Sequence, residues 1–318
     1  KTRLLHELAA YVRRSGAPVL WGHCYAFERA LPYQPAVEIF QALLPQLALS
    51  RLPPLWLAAA AHLIPELRQR RPDLPELAPP VGARHAVPLL AEGLCRCLLG
   101  LSYQQPLLVL LEDLHWATES TLTWLHVLAR HIHAAPILVV GSYRQEEVGL
   151  GHPLRDLIRA LRREGGNAPL LLQPFAGDTV QALVEALSGL GEAAVGPART
   201  LYAESEGNPF FLLELIRHLE ETGQLVQRGG RWAGPWIEAI QAGEKPALSL
   251  PDSVREAIQV RLDRLSENAR VLLSCAAVAG REFDLAVVRT ALDWKEERVL
   301  RALEELLERG LVHEQNGP

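Results

Sequence analysis

Five consecutive aliphatic residues, Leu107-Leu108-Val109-Leu110-Leu111, run directly into Glu112-Asp113 and constrain this chain more than any other feature. A strand with one wet face alternates apolar and polar residues. An unbroken run has no polar face and must be covered on both sides, as in parallel sheets flanked by helices. Val19–Trp21, Ile137–Gly141 and Leu170–Leu172 are short runs of the same kind. Helical stretches separate them, so the fold class expected is α/β. Open α/β sheets bind ligands beyond the carboxyl ends of their strands, and Glu112 and Asp113 emerge there.

The first residues, Lys1-Thr2, gain meaning from the helix signal next to them. Leu4, Leu5, Leu8, Ala9 and Val12 form an apolar stripe at helical spacing, with Gly16 and Pro18 as stop signals. In a phosphate-binding loop, G-x-x-x-x-G-K-[ST], the Lys and the Ser or Thr open a helix in this way. On that pattern Lys1 and Thr2 end such a loop. Its glycines, and a strand before them in the middle of the sheet, would lie outside the sequence. The absence of Met throughout agrees with a fragment of a longer polypeptide. The plain alternative is that Lys1 is only where the sequence starts.

Two further segments place polar groups at element ends. One carboxylate at the tip of the Leu107–Leu111 strand suits Mg²⁺ and a second suits the polarising of an attacking water; the plain reading is a strand ending in two solvated acids. Ile137–Gly141 leads into Ser142-Tyr143-Arg144, where a guanidinium could contact phosphate oxygens in a bidentate manner or simply lie on the surface. Gly207-Asn208-Pro209-Phe210-Phe211 opens a helix with proline at a favoured position.

The length of 318 residues allows two or three domains. Residues 1–177 read as an α/β core with a helical insertion over about 32–105. Residues 178–250 read as helices with breaks at Gly191, Gly196-Pro197 and Gly207-Asn208-Pro209, a small hairpin at Leu225–Trp232 and a linker over Gly234–Leu250. Residues 251–318 suggest helices at Val254–Leu265, Glu267–Ala279, Leu285–Leu292 and Glu296–Arg309. Leu311-Val312-His313 then reads as a strand, which together suggests a winged-helix unit cut off in its wing. The net charge of −5 gives no general attraction to nucleic acid or anionic lipid. Cys24, Cys95, Cys97 and Cys275 form neither a disulfide framework nor a zinc spacing, which points to the reducing cytoplasm. The longest apolar stretch, Leu52–Ile64, is interrupted and too short to span a membrane.

Lys1-Thr2-Arg3-Leu4-Leu5, Glu112-Asp113-Leu114-His115-Trp116-Ala117, Gly141-Ser142-Tyr143-Arg144 and Gly207-Asn208-Pro209-Phe210-Phe211 occur in one order along the chain. In that order they resemble the AAA-type ATPase module of the STAND class, a P-loop NTPase found in large bacterial LuxR-type and related signalling regulators. Trp21-Gly22-His23-Cys24 and Leu31-Pro32-Tyr33-Gln34-Pro35 share the resemblance. It implies that ATP and Mg²⁺ are the cofactors, with Lys1 neutralising β/γ-phosphate charge and Thr2 ligating Mg²⁺. Glu112 would be the metal-side acid, in a position often occupied by Asp, and Asp113 the water-activating acid. Arg144 would act as the sensor of the γ-phosphate, and Gly207 and Pro209 would lie at the nucleotide, Pro209 near the adenine. The implied activity of the intact protein is slow ATP hydrolysis used as a switch. A protein partner or inducer would act through domains beyond this stretch, and an ATP-dependent oligomer is compatible with the class.

Three rivals stand beside this reading: a module that holds nucleotide without hydrolysing it, a DNA-binding regulator, and a helical scaffold without nucleotide. Residues 251–318 carry ten Arg and Lys against thirteen Asp and Glu. The helix that would enter a groove bears Glu296, Glu297, Glu304, Glu305 and Glu308, the wrong sign for a phosphate backbone. No direct DNA contact is expected from it. His115-Trp116 reads as packing after a strand. His131 and His133 lack further ligands, and Arg155, Arg159, Arg162 and Arg163 read as a solvated helix face.

Overall fold

The computed structural model describes residues 1–28, 31–44, 52–77, 83–149, 151–166, 168–244, 246, 249, 251–280 and 282–314, the side chains of residues 28, 83–87 and 134 excepted. The chain divides into two compact units, Lys1–Leu170 with Glu308–Gly310, and Leu171–Leu307 with Leu311–Pro318. The second unit runs continuously across residue 250.

The first unit opens with helix α1 (Thr2–Arg14) and strand β1 (Val19–His23). Among the described residues, helices α2 (Gln34–Leu43), α3 (Pro54–Ala60), α4 (Glu66–Arg70) and α5 (Ala83–Ser102) come next. Strand β2 (Leu107–Glu112), helix α6 (Glu119–His131), strand β3 (Ile137–Gly141) and helix α7 (Pro153–Arg163) complete it. Among the described residues the sheet is three-stranded and parallel in the order β1-β2-β3. Leu20 pairs with Val109 and His23 with Glu112 on one side of β2, and Leu107 pairs with Ile137 on the other.

Strand β2 is buried at every residue, and the two layers around it explain why its sequence does not alternate. Leu108 and Leu110 pack against Leu5 and Ala9 of α1. Val109 and Leu111 face the larger core built from α2–α7, with Ile39, Phe40, Leu94, Leu98 and Trp124 among its members. Each fully buried leucine contributes about 2 kcal/mol relative to exposure. The contact between α2 and β1 leaves no room at Gly22, where a Cβ would lie 2.6 Å from the carbonyl oxygen of Pro35.

Leu170–Leu172, expected as a fourth strand, is not one. The segment makes no ladder, and its leucines are 76%, 66% and 43% exposed. An apolar run becomes a strand only where a neighbouring edge satisfies its backbone, and the described residues provide no strand beside it.

The second unit contains α8 (Gly177–Ser188), α9 (Val195–Ser205), α10 (Pro209–Glu221), the hairpin β4 (Val226–Arg228) and β5 (Arg231–Ala233), and α11 (Pro235–Gln241). Helices α12 (Asp252–Asp263), α13 (Glu267–Ala279), α14 (Leu285–Leu292) and α15 (Glu296–Glu308) complete it. Gly229 and Gly230 both have positive φ, as a primed hairpin turn needs. The expected linker over residues 234–250 is corrected in its first half. Pro235 starts α11, which buries Trp236 and Ile237 in a core with Val184, Leu201 and Leu215. Residues 245, 247, 248 and 250 of that stretch lie outside the described residues. Gly196-Pro197, expected as a break, lies inside the first turn of α9, where proline is tolerated.

Helices α12–α15 enclose a smaller core of Leu265, Leu272, Val288, Val299 and Leu306. Leu311–His313, expected as a strand, shows none. Among the described residues the unit's two strands pair only with each other, so this segment has no ladder to join. The remainder of the expected wing, residues 315–318, lies outside the described residues. No helix among the described residues is long and apolar enough to cross a membrane.

Candidate functional site

The carboxyl ends of β2 and β3 meet the amino end of α1. Lys1 is the residue before the helix and Thr2 its first member. The Thr2 hydroxyl donates to Oε2 of Glu112 at 3.1 Å, and the Lys1 Nζ donates to the carbonyl oxygen of Tyr143 at 2.8 Å. The first turn of α1 carries no acidic residue, so its free N–H groups and the positive end of its dipole are left available to an anion. Residues at opposite ends of the first 143 positions are thus neighbours, because the parallel sheet places every strand's carboxyl end on one edge.

The two acids sit differently. Glu112 ends β2, is 7% exposed, and its backbone carbonyl accepts from the Cys24 N–H at 3.0 Å. A carboxylate this buried needs partners, and Thr2 supplies one. Asp113 turns out of the strand with φ +56°, a left-handed conformation that Asp tolerates better than most residues. Its N–H donates to the Ser142 hydroxyl at 3.3 Å. The backbone joins across the same place: Ser142 N–H donates to Leu111 O at 2.9 Å, and Leu114 N–H to Ser142 O at 2.8 Å. This turn changes two adjacent acids from opposite faces of a strand into one buried and one partly exposed group.

Arg144 lies on the segment after β3. Its guanidinium is half-exposed and reaches Oε1 of Glu147 at 3.5 Å. Lys1, Thr2, Glu112, Asp113 and Arg144 are therefore gathered at one edge of the sheet. Gly207 and Pro209 belong to the second unit. There Gly207 has φ +73° and its carbonyl accepts from the Phe175 N–H at 2.8 Å. Asn208 caps α10 through Oδ1, which accepts from the Phe210 N–H at 3.0 Å, and Pro209 is the first residue of that helix. A Cβ at Gly207 would lie 2.0 Å from the Phe175 carbonyl oxygen. Gly207→Ala is expected to destabilise the second unit by about 2 kcal/mol or more, since it adds backbone strain to this clash. Chemical denaturation followed by tryptophan fluorescence measures this; an unchanged midpoint would contradict the packing described.

Several neighbours of the site escape sequence reasoning. Ser142 stabilises the Asp113 turn, and its only sequence signal is its position directly after a strand. Glu38 of α2 accepts from both the backbone N–H and Nδ1 of His23, at 2.8 and 3.0 Å, beside the end of β2. Nothing in the pattern of α2 marks this pairing. Cys24 is buried, and burial first, then the charges of Asp113 and Glu38, push its thiol up to about 12. It is not a nucleophile at neutral pH. His131 faces Glu92 at 3.4 Å. Among the described residues no cluster of three or more His, Cys, Asp or Glu could hold a metal ion by itself.

Residues 1–140 match the family described as AAA ATPase domain. The matched span holds Lys1, Thr2, Glu112 and Asp113, and reaches into β3. No curated protein matches the chain. Among solved structures, single-substitution mutants of RuvB from Thermotoga maritima are similar to it. One is 12% identical over 82% of this chain and 89% of that chain, with a TM-score of 0.32. A second is 13% identical over the same shares, with a TM-score of 0.31. At this level of superposition no residue role passes from those proteins to this chain.

Proposed function

We propose that this chain is the ATP-binding and slowly hydrolysing switch module of a larger signal-transduction or transcription regulator of the STAND class, related to LuxR-type regulators. The observation that carries the reading is the 3.1 Å hydrogen bond from Thr2 to Glu112, with Lys1 beside it. A hydroxyl and a buried carboxylate are hard oxygen donors of the kind Mg²⁺ takes, so these residues fit the ion. Bound Mg²⁺ supplies neutralisation of phosphate charge. Thr2 and Glu112 would hold it, Lys1 would neutralise the β/γ-phosphates, and Asp113 would orient and deprotonate the attacking water. Arg144 would sense the γ-phosphate, and Gly207 and Pro209 would contribute to nucleotide binding.

Residues 1–177 would form the nucleotide core, residues 178–250 a helical lid, and residues 251–318 a winged-helix element serving in regulation rather than DNA contact. A partner or inducer would act through further domains, with assembly driven by ATP. Calorimetric titration of the full-length protein tests the reading. ATP should bind only with Mg²⁺ present, and Thr2→Val should weaken Mg-ATP binding about tenfold, the cost of one charge-assisted contact. Affinity indifferent to both Mg²⁺ and Thr2 would overturn the assignment.

A further inference from the structure

One imidazole joins the turn that carries Asp113 to the segment that carries Arg144. The side chain of His115 is fully buried. Its Nδ1 accepts from the backbone N–H of Arg144 at 3.4 Å and lies 3.9 Å from Oδ1 of Asp113. Because Nδ1 accepts, the proton of the neutral ring sits on Nε2. Nε2 has no hydrogen-bond partner among the described residues and faces Oε2 of Glu147 at 3.7 Å. Glu147 is also the carboxylate that the Arg144 guanidinium approaches.

The His115 backbone is fixed as well. Its carbonyl oxygen accepts from Nε2 of His152 at 2.9 Å, and Nδ1 of His152 accepts from the Leu154 N–H at 3.1 Å, so the cap of α7 pins the turn. The ring packs against Trp116 with centroids 4.5 Å apart. Burial lowers the pKa of His115, opposed by Glu147 and Asp113 and assisted by Arg144 and Lys1. This favours the neutral form that the acceptor role requires.

We propose that His115 is a positioning residue for hydrolysis, tying the backbone of Arg144 to the turn of Asp113 so that acid and guanidinium are presented in one fixed relation. The inference rests on the ATP reading above. The ring need not touch the nucleotide. It makes the order of two segments, one after β2 and one after β3, a single property. A residue that only filled space would need bulk and no acceptor, and that difference is measurable.

Three substitutions separate the roles. His115→Asn keeps an acceptor oxygen near the place of Nδ1. His115→Gln carries a donor toward Glu147 but has no acceptor near Arg144. His115→Leu has neither. In the full-length protein, His115→Gln and His115→Leu should lower kcat about 10- to 100-fold, the cost of misplacing a catalytic group by about an ångström. Their affinity for Mg-ATP should stay within about twofold, since the lost interaction serves the transition state and not binding. The Arg144 amide should lose protection from hydrogen exchange in both. His115→Asn should recover most of the rate and the protection. Equal kcat loss in all three variants, or a wild-type rate in His115→Gln, would overturn the positioning role. If the wild-type protein binds no Mg-ATP, the reading of function fails. Exchange still decides the tie in that case: protection kept in His115→Asn and lost in His115→Gln upholds it, and protection kept in both removes it.

Discussion

Lys1→Ala in the full-length protein is expected to weaken Mg-ATP binding by about 100-fold or more. The ammonium lies at the amino end of α1, 2.8 Å from the Tyr143 carbonyl oxygen, next to the hydroxyl that meets Glu112. Charge-assisted contacts contribute about 1.5–3 kcal/mol, and a full ammonium charge on the β/γ-phosphates stands at the upper end, about 100-fold in affinity. The effect should be specific to the nucleotide. Lys1 is exposed and packs in no core, so the melting temperature without nucleotide should hardly move. Competition with a fluorescent ATP analogue gives the affinity, and wild-type binding by the alanine variant would remove Lys1 from the site.

Asp113→Asn should do the opposite: leave Mg-ATP affinity near that of wild type and lower phosphate release by about 100-fold or more, the usual contribution of a general base. The substitution is a clean probe because of the backbone. Asp113 sits at φ +56°, and Asn is as tolerant of the left-handed region as Asp. The turn, with its N–H on the Ser142 hydroxyl, should persist. What is lost is the charge. Steady-state phosphate release, compared between wild type and variant at saturating Mg-ATP, is the measurement. Measurable and equal turnover would give the water-activating role to Glu112, and no turnover in either protein would favour the rival in which nucleotide is held without hydrolysis.

The parts of the fold that are legible in the sequence divide from the rest along physical lines. Strands β2 and β3 and helices α13 and α14 stand out because their signals are local: unbroken aliphatic runs, or helical periodicity. The meeting of Lys1 and Thr2 with Glu112 can be anticipated because a parallel sheet puts all strand ends on one edge. Leu170–Leu172 misleads because an aliphatic run states burial but not a partner. Helix α11 is hidden because Pro235 can break one element or begin the next, and the buried Trp236 decides only in three dimensions. Ser142 with Asp113, Glu38 with His23 and Glu147 with His115 are pairings between separate elements, and no spacing rule reaches across them.

The bond between Thr2 and Glu112 spans 110 positions of chain, and β1 finds β2 only after the whole stretch that carries α2 to α5. Contacts so distant form late and slowly, since a large loop must be closed before they repay its cost. A nascent polypeptide leaving the ribosome would expose α1 long before the acids it meets have been synthesised. During that interval the apolar stripe of α1 lacks Leu108 and Leu110, its partners in the finished protein. Synthesis rate and chaperone supply should therefore govern how much competent protein a cell obtains, independently of how stable the completed molecule is.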